Sequence, residues 1–455
     1  MTFSLTGNSY GVVVIGAGSA GCCAAIAAAE STRQPVLLVE RYGFLGGVST
    51  QSLDTFYGFF SPGERPKKAA GGIPDRVVNL LAEKGEIFLR PNTYGAGTGV
   101  TYNPEYLKLV WDDLVSSAGV DVLLHSRLAG VEQKADGGYR LALEAPGGTL
   151  AINAERLIDA SGDAHAAYML GAPLEEAGTL EAAQTFTTTF RMCNVDLERY
   201  SEAGGKNLLQ RKMIEAVETG TYALPRKKGS VHAMVQPKCI ATVAVRVPFS
   251  SPFDPWALSA AEKEGRRQAY VYEAFLRAEI AGFEDAKIIG MSSPQIGIRE
   301  SRRLYGAYRL TRADCLGEAR FDDAVFLCGA PIEDHRMDAD GEEETEWVYI
   351  PNGGVYQIPY RTLYAAGFDR LLVAGRCFSA DHSAHASCRS MAQTMSMGQA
   401  AGVAAALSLD TNRAVHEIEV TRLRQRLEAI GAVIEPPASE AKIGRDDWFK
   451  NRQYA

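Results

Sequence analysis

The run from Val12 to Glu40 constrains the fold more than any other stretch of the chain. Val12 to Ile15 is a short β-branched block, Gly16-Ala17-Gly18-Ser19-Ala20-Gly21 follows at once, and Cys22 to Glu30 is rich in alanine. β-Branched residues favour strands and alanine favours helix. Pro35 to Glu40 (PVLLVE) then reads as a second buried strand ending in an acid. The spacing predicts a βαβ unit, and in that setting each glycine has its own task. Gly16 turns the chain tightly, Gly18 lets the backbone approach a pyrophosphate, and Gly21 lets helix and strand pack closely. The helix start offers free N–H groups and a positive dipole end to an anion. Glu40, at the tip of the second strand, is placed to accept both hydroxyls of a ribose. A dinucleotide site accounts for all of these features together.

The chain has 455 residues, and at roughly 100–200 residues per domain that predicts two or three domains. Its 46% hydrophobic and 22% charged content is that of a soluble globular protein, which excludes wholesale disorder. A net charge of −8 disfavours nucleic acid as a partner, because phosphate backbones are met by basic surfaces. Eight cysteines are scattered without a CxxC pair. That argues against a disulfide framework, a zinc site or an iron–sulfur cluster, so no metal is expected, and it fits a reducing cytoplasm. Gly11 to Ala29 carries no charge and has the length of a membrane span, but glycines interrupt it and no Lys or Arg precedes it. It reads as part of a soluble protein, with no membrane partner.

Farther along, Asn103 to Ser116 has the pattern of an amphipathic helix with Asn103 as N-cap and Pro104 at its first position. Val120 to His125 follows as a strand. Arg127 to Ala154 alternates around two glycine turns as a β-meander, and Arg156 to Gly162 reads as a further buried strand before Asp163. The middle changes character: Ala182 to Met192 and Ile240 to Pro248 are strand-like, and Pro255 to Ala281 is a helical block. Near the end come a buried strand, Arg370 to Gly375, a loop, Arg376 to Ser387, and a helix, Cys388 to Leu409, dense in Ala, Met and Gly. Thr421 to Ile430 reads as an amphipathic helix. The fold class expected is α/β, a Rossmann-like domain with a parallel sheet and β-meander plus a second α+β substrate domain. Boundaries follow as residues 1–173 with a cap insertion at about 50–100, a cap domain at 174–359, the second part of the first domain at 360–434, and a polar tail at 435–455.

Taken together, VVVIGAGSAG, ERYGFLGG, YNPEYLKLV, IDASGDA, GIRESRRLYG, YQIPYRTL and LLVAGRCFSADHSAHASCRSMAQTMSMGQAAG resemble FAD-dependent oxidoreductases of the fumarate-reductase and heterodisulfide-reductase-like kind, within the glutathione-reductase type. The resemblance implies FAD as cofactor. It places Gly16, Gly18, Ser19, Ala20, Gly21 and Glu40 around the ADP half, with Arg41 and Gly46-Gly47 lining adenosine and pyrophosphate. It puts Asp163 near the cofactor, Gly375 and Arg376 under the ribityl chain, and the backbone of Ser390, Met391, Ala392 and Gln393 at the pyrimidine edge of the flavin. The iron–sulfur cysteines and the CxxxxC dithiol of some relatives are absent, so disulfide reduction is not expected and the electron acceptor is external.

A flavin carries out hydride chemistry itself, so the protein must move a proton and orient a substrate. Asp381-His382-Ser383-Ala384-His385 is the best sequence cluster for that, with His382 or His385 as acid/base and a structural cap as the competing reading. Arg299, Arg302 and Arg303 share one face if helical and can clamp a substrate anion or form interdomain ion pairs. Tyr360 and Arg361 precede the last cofactor strand and are candidate interface residues. His335 falls in a polar stretch expected to be a solvated loop. The expected activity is hydride transfer between a small organic substrate and flavin N5. A C=C reductase, or a non-catalytic nucleotide-binding or escort module of the same fold, is the alternative, and a homo-oligomer stays open.

Overall fold

The computed structural model describes residues 6–92, 94–337 and 343–438, so most of the polar tail expected at 435–455 lies outside the described residues. The strand Thr6–Ile15, the helix Ser19–Ser31 and the strand Val36–Val39 form the βαβ unit. The two strands pair in parallel, with Val12 opposite Val36 and Ile15 opposite Val39. A seven-stranded sheet grows from this pair, in the order Asp121–Leu123, Val36–Val39, Thr6–Ile15, Gly148–Asp159, Tyr139–Ala145, Arg127–Gln133. Leu371–Val373 joins it beside the end of Gly148–Asp159.

Gly148–Asp159 does two jobs. Its first part runs antiparallel to Tyr139–Ala145, with Ile152 opposite Leu141, and from Arg156 it lies parallel between Thr6–Ile15 and Leu371–Val373. The last meander strand and the separate strand expected at Arg156 are therefore one strand. No Gly or Pro stands between Ala154 and Asp159 to break it.

Met391–Thr411 is buried from Met391 to Ser408 and lies against the first helix. Its glycines explain the closeness: a Cβ on Gly398 would stand 1.9 Å from the Ala20 carbonyl oxygen, and one on Gly402 2.3 Å from that of Ala24. With the sheet on one side and this helix on the other, Ser19–Ser31 is apolar on nearly all faces, as a core helix must be. The helix expected from Cys388 is instead two helices, His382–Cys388 and Met391–Thr411. Ser390 between them is extended, φ −61 and ψ 153, so the loop expected over 376–387 contains the first of the two. The helix Pro104–Ser117 has Asn103 as its cap, the side chain accepting from the N–H groups of Glu105 and Tyr106, a device typically contributing about 1 kcal/mol.

Residues 55–102 supply a three-stranded antiparallel sheet and the helix Ile73–Glu83. A second apolar core gathers around Phe190, Met192, Leu209, Tyr272 and Phe275. Its sheet orders His232–Ala233, Ile240–Thr242, Phe190–Cys193 and Lys287–Met291, with the helices Gly205–Thr219 and Pro255–Glu279 beside it. The strands expected over 182–192 and 240–248 shrink here to Phe190–Cys193 and Ile240–Thr242. The reason is a change of partner at each residue: Thr185 N donates to His335 O, Phe186 N to Val247 O and Thr187 N to Gly297 O, so no ladder forms. Farther on, the Gln268 amide stands in for a neighbouring strand, accepting from Arg246 N at 3.0 Å and donating to Arg246 O at 2.9 Å. The strands Ala324–Cys328 and Tyr356–Pro359 pack in the same core as the first helix. Among the described residues, no helix is long and apolar enough to cross a membrane.

Candidate active site

A cavity of about 1460 Å³ opens along the C-terminal ends of the parallel strands. Its walls include Gly16, Gly18, Glu40, Gly375, Arg376 and Ser390. Single small-molecule sites measure roughly 300–1,000 Å³. This one has room for an extended ligand and a second, smaller molecule.

The turn at one end is built by close backbone contacts. Gly16 sits at φ +92, and a Cβ there would meet the Ala160 carbonyl oxygen at 2.6 Å. A Cβ on Gly21 would lie 1.7 Å from the Gly16 oxygen, so Gly21 serves packing and does not reach the cavity. Gly18 differs: no protein atom lies within 4 Å of where its Cβ would be. It caps the first helix without a side-chain hydrogen bond, leaving that helix start open to an anion. The Glu40 carboxylate accepts from Ala17 N at 2.8 Å and Tyr42 N at 3.0 Å. It braces the turn, and each oxygen keeps a lone pair for a ligand hydroxyl. Gly46 N donates to Ala17 O at 2.8 Å, and a Cβ on Gly47 would be 2.9 Å from Gly18 Cα. Gly47 lines the cavity whereas Gly46 stands behind it.

Ser19, Ala20, Arg41, Asp163 and Met391 also line the cavity, and Ala392 and Gln393 do not. Ala392 N donates to Tyr57 O at 3.3 Å and Gln393 Nε2 to Gly58 O at 2.8 Å. Both groups therefore turn toward the 55–60 segment, away from the position expected for them. Asp163 accepts from Ser301 Oγ at 2.8 Å and Arg376 Nη2 at 3.0 Å. Burial alone would raise its carboxyl, but Arg376, His165 and Arg41 outweigh that and hold it below the ordinary value.

The four residues expected to be catalytic are placed differently. His382 does not line the cavity; it is 2% exposed, with Nδ1 3.2 Å from Glu300 and Nε2 2.9 Å from Asp334. Burial opposes its charge, yet the two carboxylates win and push its pKa to about 10. It is a buried imidazolium holding two acids together. His385 is wholly buried, 2.9 Å from the Arg376 carbonyl through Nε2, and stacks on Phe378. Burial and Arg303 keep it neutral by driving its pKa well below the ordinary value. Arg361 binds Asp323 through Nε at 2.9 Å and Nη2 at 3.1 Å and stands outside the cavity wall. Arg299 does line it, donating to Thr185 O at 2.6 Å. The 299–303 segment is not helical, ending in the strand Arg302–Leu304, so the three arginines share no face. Arg302 lies between the rings of Tyr168 and Phe253, at 3.8 and 3.5 Å. Arg303 pairs with Glu175 and Glu300 in the core. His335 is not in a solvated loop: it is 6% exposed on the strand Ile332–Met337, and its Nδ1 lies 3.0 Å from Thr345 Oγ1.

The cavity wall also carries a pair that sequence reasoning misses. His232 Nε2 lies 2.9 and 3.0 Å from the two oxygens of Asp54, and both residues line the cavity. Asp54 is 2% exposed. Burial would raise its carboxyl, but His232, Arg191 and Arg90 together lower it, so it stays a carboxylate. A carboxylate only accepts, which puts the proton on Nε2 and leaves Nδ1 as the basic nitrogen. Tyr57 is hydrogen-bonded to Arg90 beside them. Among the described residues, twelve arginines and lysines line the cavity against four carboxylates, an inversion of the chain's net charge of −8.

A family model described as FAD dependent oxidoreductase matches residues 11–427. No curated protein matches significantly. Among solved structures, a geranylgeranyl bacteriochlorophyll reductase-like protein from Thermoplasma acidophilum is 13% identical, with 93% of this chain and 83% of that one covered and a TM-score of 0.45. The anhydrotetracycline hydroxylase OxyS from Streptomyces rimosus is 13% identical over 92% of this chain and 65% of its own, TM-score 0.44. The halogenase PltM is 13% identical over 93% and 73%, TM-score 0.44.

Proposed function

This chain belongs to the FAD-dependent oxidoreductase family, and from that premise we propose that it transfers a hydride between a small anionic organic substrate and FAD, with His232 handling the proton. FAD, when bound, supplies the two-electron chemistry. In this reading the open helix start at Gly18 and the braced carboxylate of Glu40 hold the ADP half, as Ser19, Ala20 and Gly47 continue the wall. Asp163, Gly375, Arg376, Ser390 and Met391 line the path toward the ring system. The cofactor part is read as 1–173 and 360–434 and the cap as 174–359; the second apolar core, from Phe186 to Ile298, supports a separate cap over that stretch, whereas Leu310 to Ile358 pack in the core of the first helix and draw the boundary back toward residue 300. Kinship with the fumarate-reductase and heterodisulfide-reductase-like branch rests on the sequence motifs, and a cytoplasmic setting on the eight free thiols.

The observation that carries the reading is the His232–Asp54 pair on the wall of the same cavity. His232 Nδ1 takes the proton of an alcohol or amine as the adjoining C–H bond gives up its hydride, and Asp54 holds the ring in the tautomer that this requires. Arg90 and Arg299 counter the charge of a substrate carboxylate and orient it. His382 and His385 shape the site from behind and do not touch substrate.

The test is anaerobic flavin bleaching with a panel of 2-hydroxy and 2-amino carboxylates. For a member that bleaches the wild-type enzyme, His232→Asn slows reduction by about 10²–10⁴-fold, while dithionite reduces the variant at the wild-type rate. Bleaching of His232→Asn at the wild-type rate overturns the assignment.

A further inference from the structure

The cavity has an outer end that the chemistry at His232 does not use. There Tyr94, Trp347 and Tyr349 remain 57%, 37% and 43% exposed while lining it. Single exposed aromatics are ordinary, but three at one mouth are not. The rings are positioned: Trp347 and Tyr349 stack with centroids 6.4 Å apart and planes 17° from parallel, and the Tyr349 hydroxyl accepts from Gly95 N at 2.8 Å. Lys206 donates to the Tyr94 hydroxyl at 3.1 Å and lies over that ring at 4.7 Å. The loop carrying Lys228 lines the same cavity, between Lys206 and His232 in sequence.

We propose that this mouth is a subsite for a planar aromatic group bearing an anion, a phosphate or a carboxylate. The ring stacks on Trp347 and Tyr349, and Lys206 and Lys228 take the charge. The proposal rests on reading the cavity as the substrate site and adds to it the class of the remote end. A flat π-face explains why the aromatics are held yet exposed, and lysines suit an anion whose position varies, since an ammonium is a point charge without a fixed fork.

The experiment is calorimetric titration of the FAD-loaded protein with phenyl phosphate, cyclohexyl phosphate, inorganic phosphate and adenosine 5′-monophosphate. Phenyl phosphate is expected to bind at least about tenfold more tightly than cyclohexyl phosphate, the difference that one stacking contact supports. Trp347→Leu removes that advantage and Trp347→Phe retains most of it; Lys206→Ala with Lys228→Ala weakens both organic phosphates alike. Unchanged flavin content and melting temperature show that the variants fold. Stronger binding of the adenosine compound assigns the group to a nucleotide, and stronger binding of phenyl phosphate to an aryl substrate. Equal affinity for phenyl and cyclohexyl phosphate, or no effect of Trp347→Leu, overturns the proposal. Because the readout is equilibrium binding, it stands or falls independently of the His232→Asn reduction rate, and His232→Asn binds phenyl phosphate as the wild type does.

Discussion

Replacing His382 by glutamine separates a structural ion from a catalytic base, and the cost can be worked out beforehand. The ring is 2% exposed between Glu300 at 0% and Asp334 at 3%. A pKa pushed from 6.5 to about 10 corresponds to about 5 kcal/mol at about 1.4 kcal/mol per unit. The depression of Glu300 to about 2 is largely the same attraction seen from the other partner, so the two are not added. Glu300 keeps Arg303 and Asp334 keeps Arg336 at 2.6 Å after the substitution. The loss therefore falls near the lower end of the roughly 3–5 kcal/mol found when a buried pair loses one member. Because the folded pKa is raised, this stabilisation is complete below pH 6.5 and is lost as pH climbs through the folded value. Urea unfolding at pH 6, 7.5 and 9 should show the wild type losing its advantage over His382→Gln by about 1.4 kcal/mol per pH unit above the ordinary pKa. The rate of flavin reduction per folded molecule should be unchanged. Parallel stability curves, or a variant of wild-type stability that fails to reduce its flavin, would refute the reasoning.

Gly18→Ala should leave the melting temperature of the FAD-free protein unchanged and weaken FAD binding, measured by fluorescence titration, because its Cβ meets no protein atom. Gly21→Ala, whose Cβ would strike the Gly16 carbonyl at 1.7 Å, should lower the yield of folded protein by solubility and thermal melting. Gly398→Ala should cost about 1–3 kcal/mol or more in chemical unfolding, the usual cost of overpacking, since the Ala20 carbonyl is backbone and cannot swing away. Arg361→Ala breaks a half-exposed pair with Asp323 and should change stability by no more than about 1 kcal/mol, with an unchanged rate of flavin reduction in stopped flow.

What could be read from the sequence was whatever local geometry decides. The glycine turn is such a case, because Gly16 and Gly21 are required by contacts within a few residues of themselves or with the adjoining strand. The strand, helix and strand around it follow from composition alone, and so does the α/β class. The His232–Asp54 pair is not of this kind: its members are 178 positions apart, and neither sits in a recognisable motif. The histidines of DHSAH illustrate the converse. Their place beside a cofactor motif suggests chemistry, but the charge of His382 is set by Glu300 and Asp334, which come from other strands and loops, and that of His385 by burial. The 182–192 stretch has the residues of a strand and lacks a continuous partner, a property of the rest of the chain that no local pattern reports.

The helix that covers Ser19–Ser31 is made from residues 391–411, about 370 positions farther along the chain and so synthesised long after it. Until it arrives, the first helix has the sheet on one side and only the helices Ile73–Glu83 and Pro104–Ser117 at its flank, and the alanine-rich face that Met391–Thr411 covers stays wet. A nonsense product ending before Met391 would thus expose that face permanently and is expected to precipitate or be degraded, not to survive as a weakly active fragment. Folding of the nucleotide half must likewise wait until residues 391–411 have been made, since the helices Ser19–Ser31 and Met391–Thr411 close on each other across a long sequence separation.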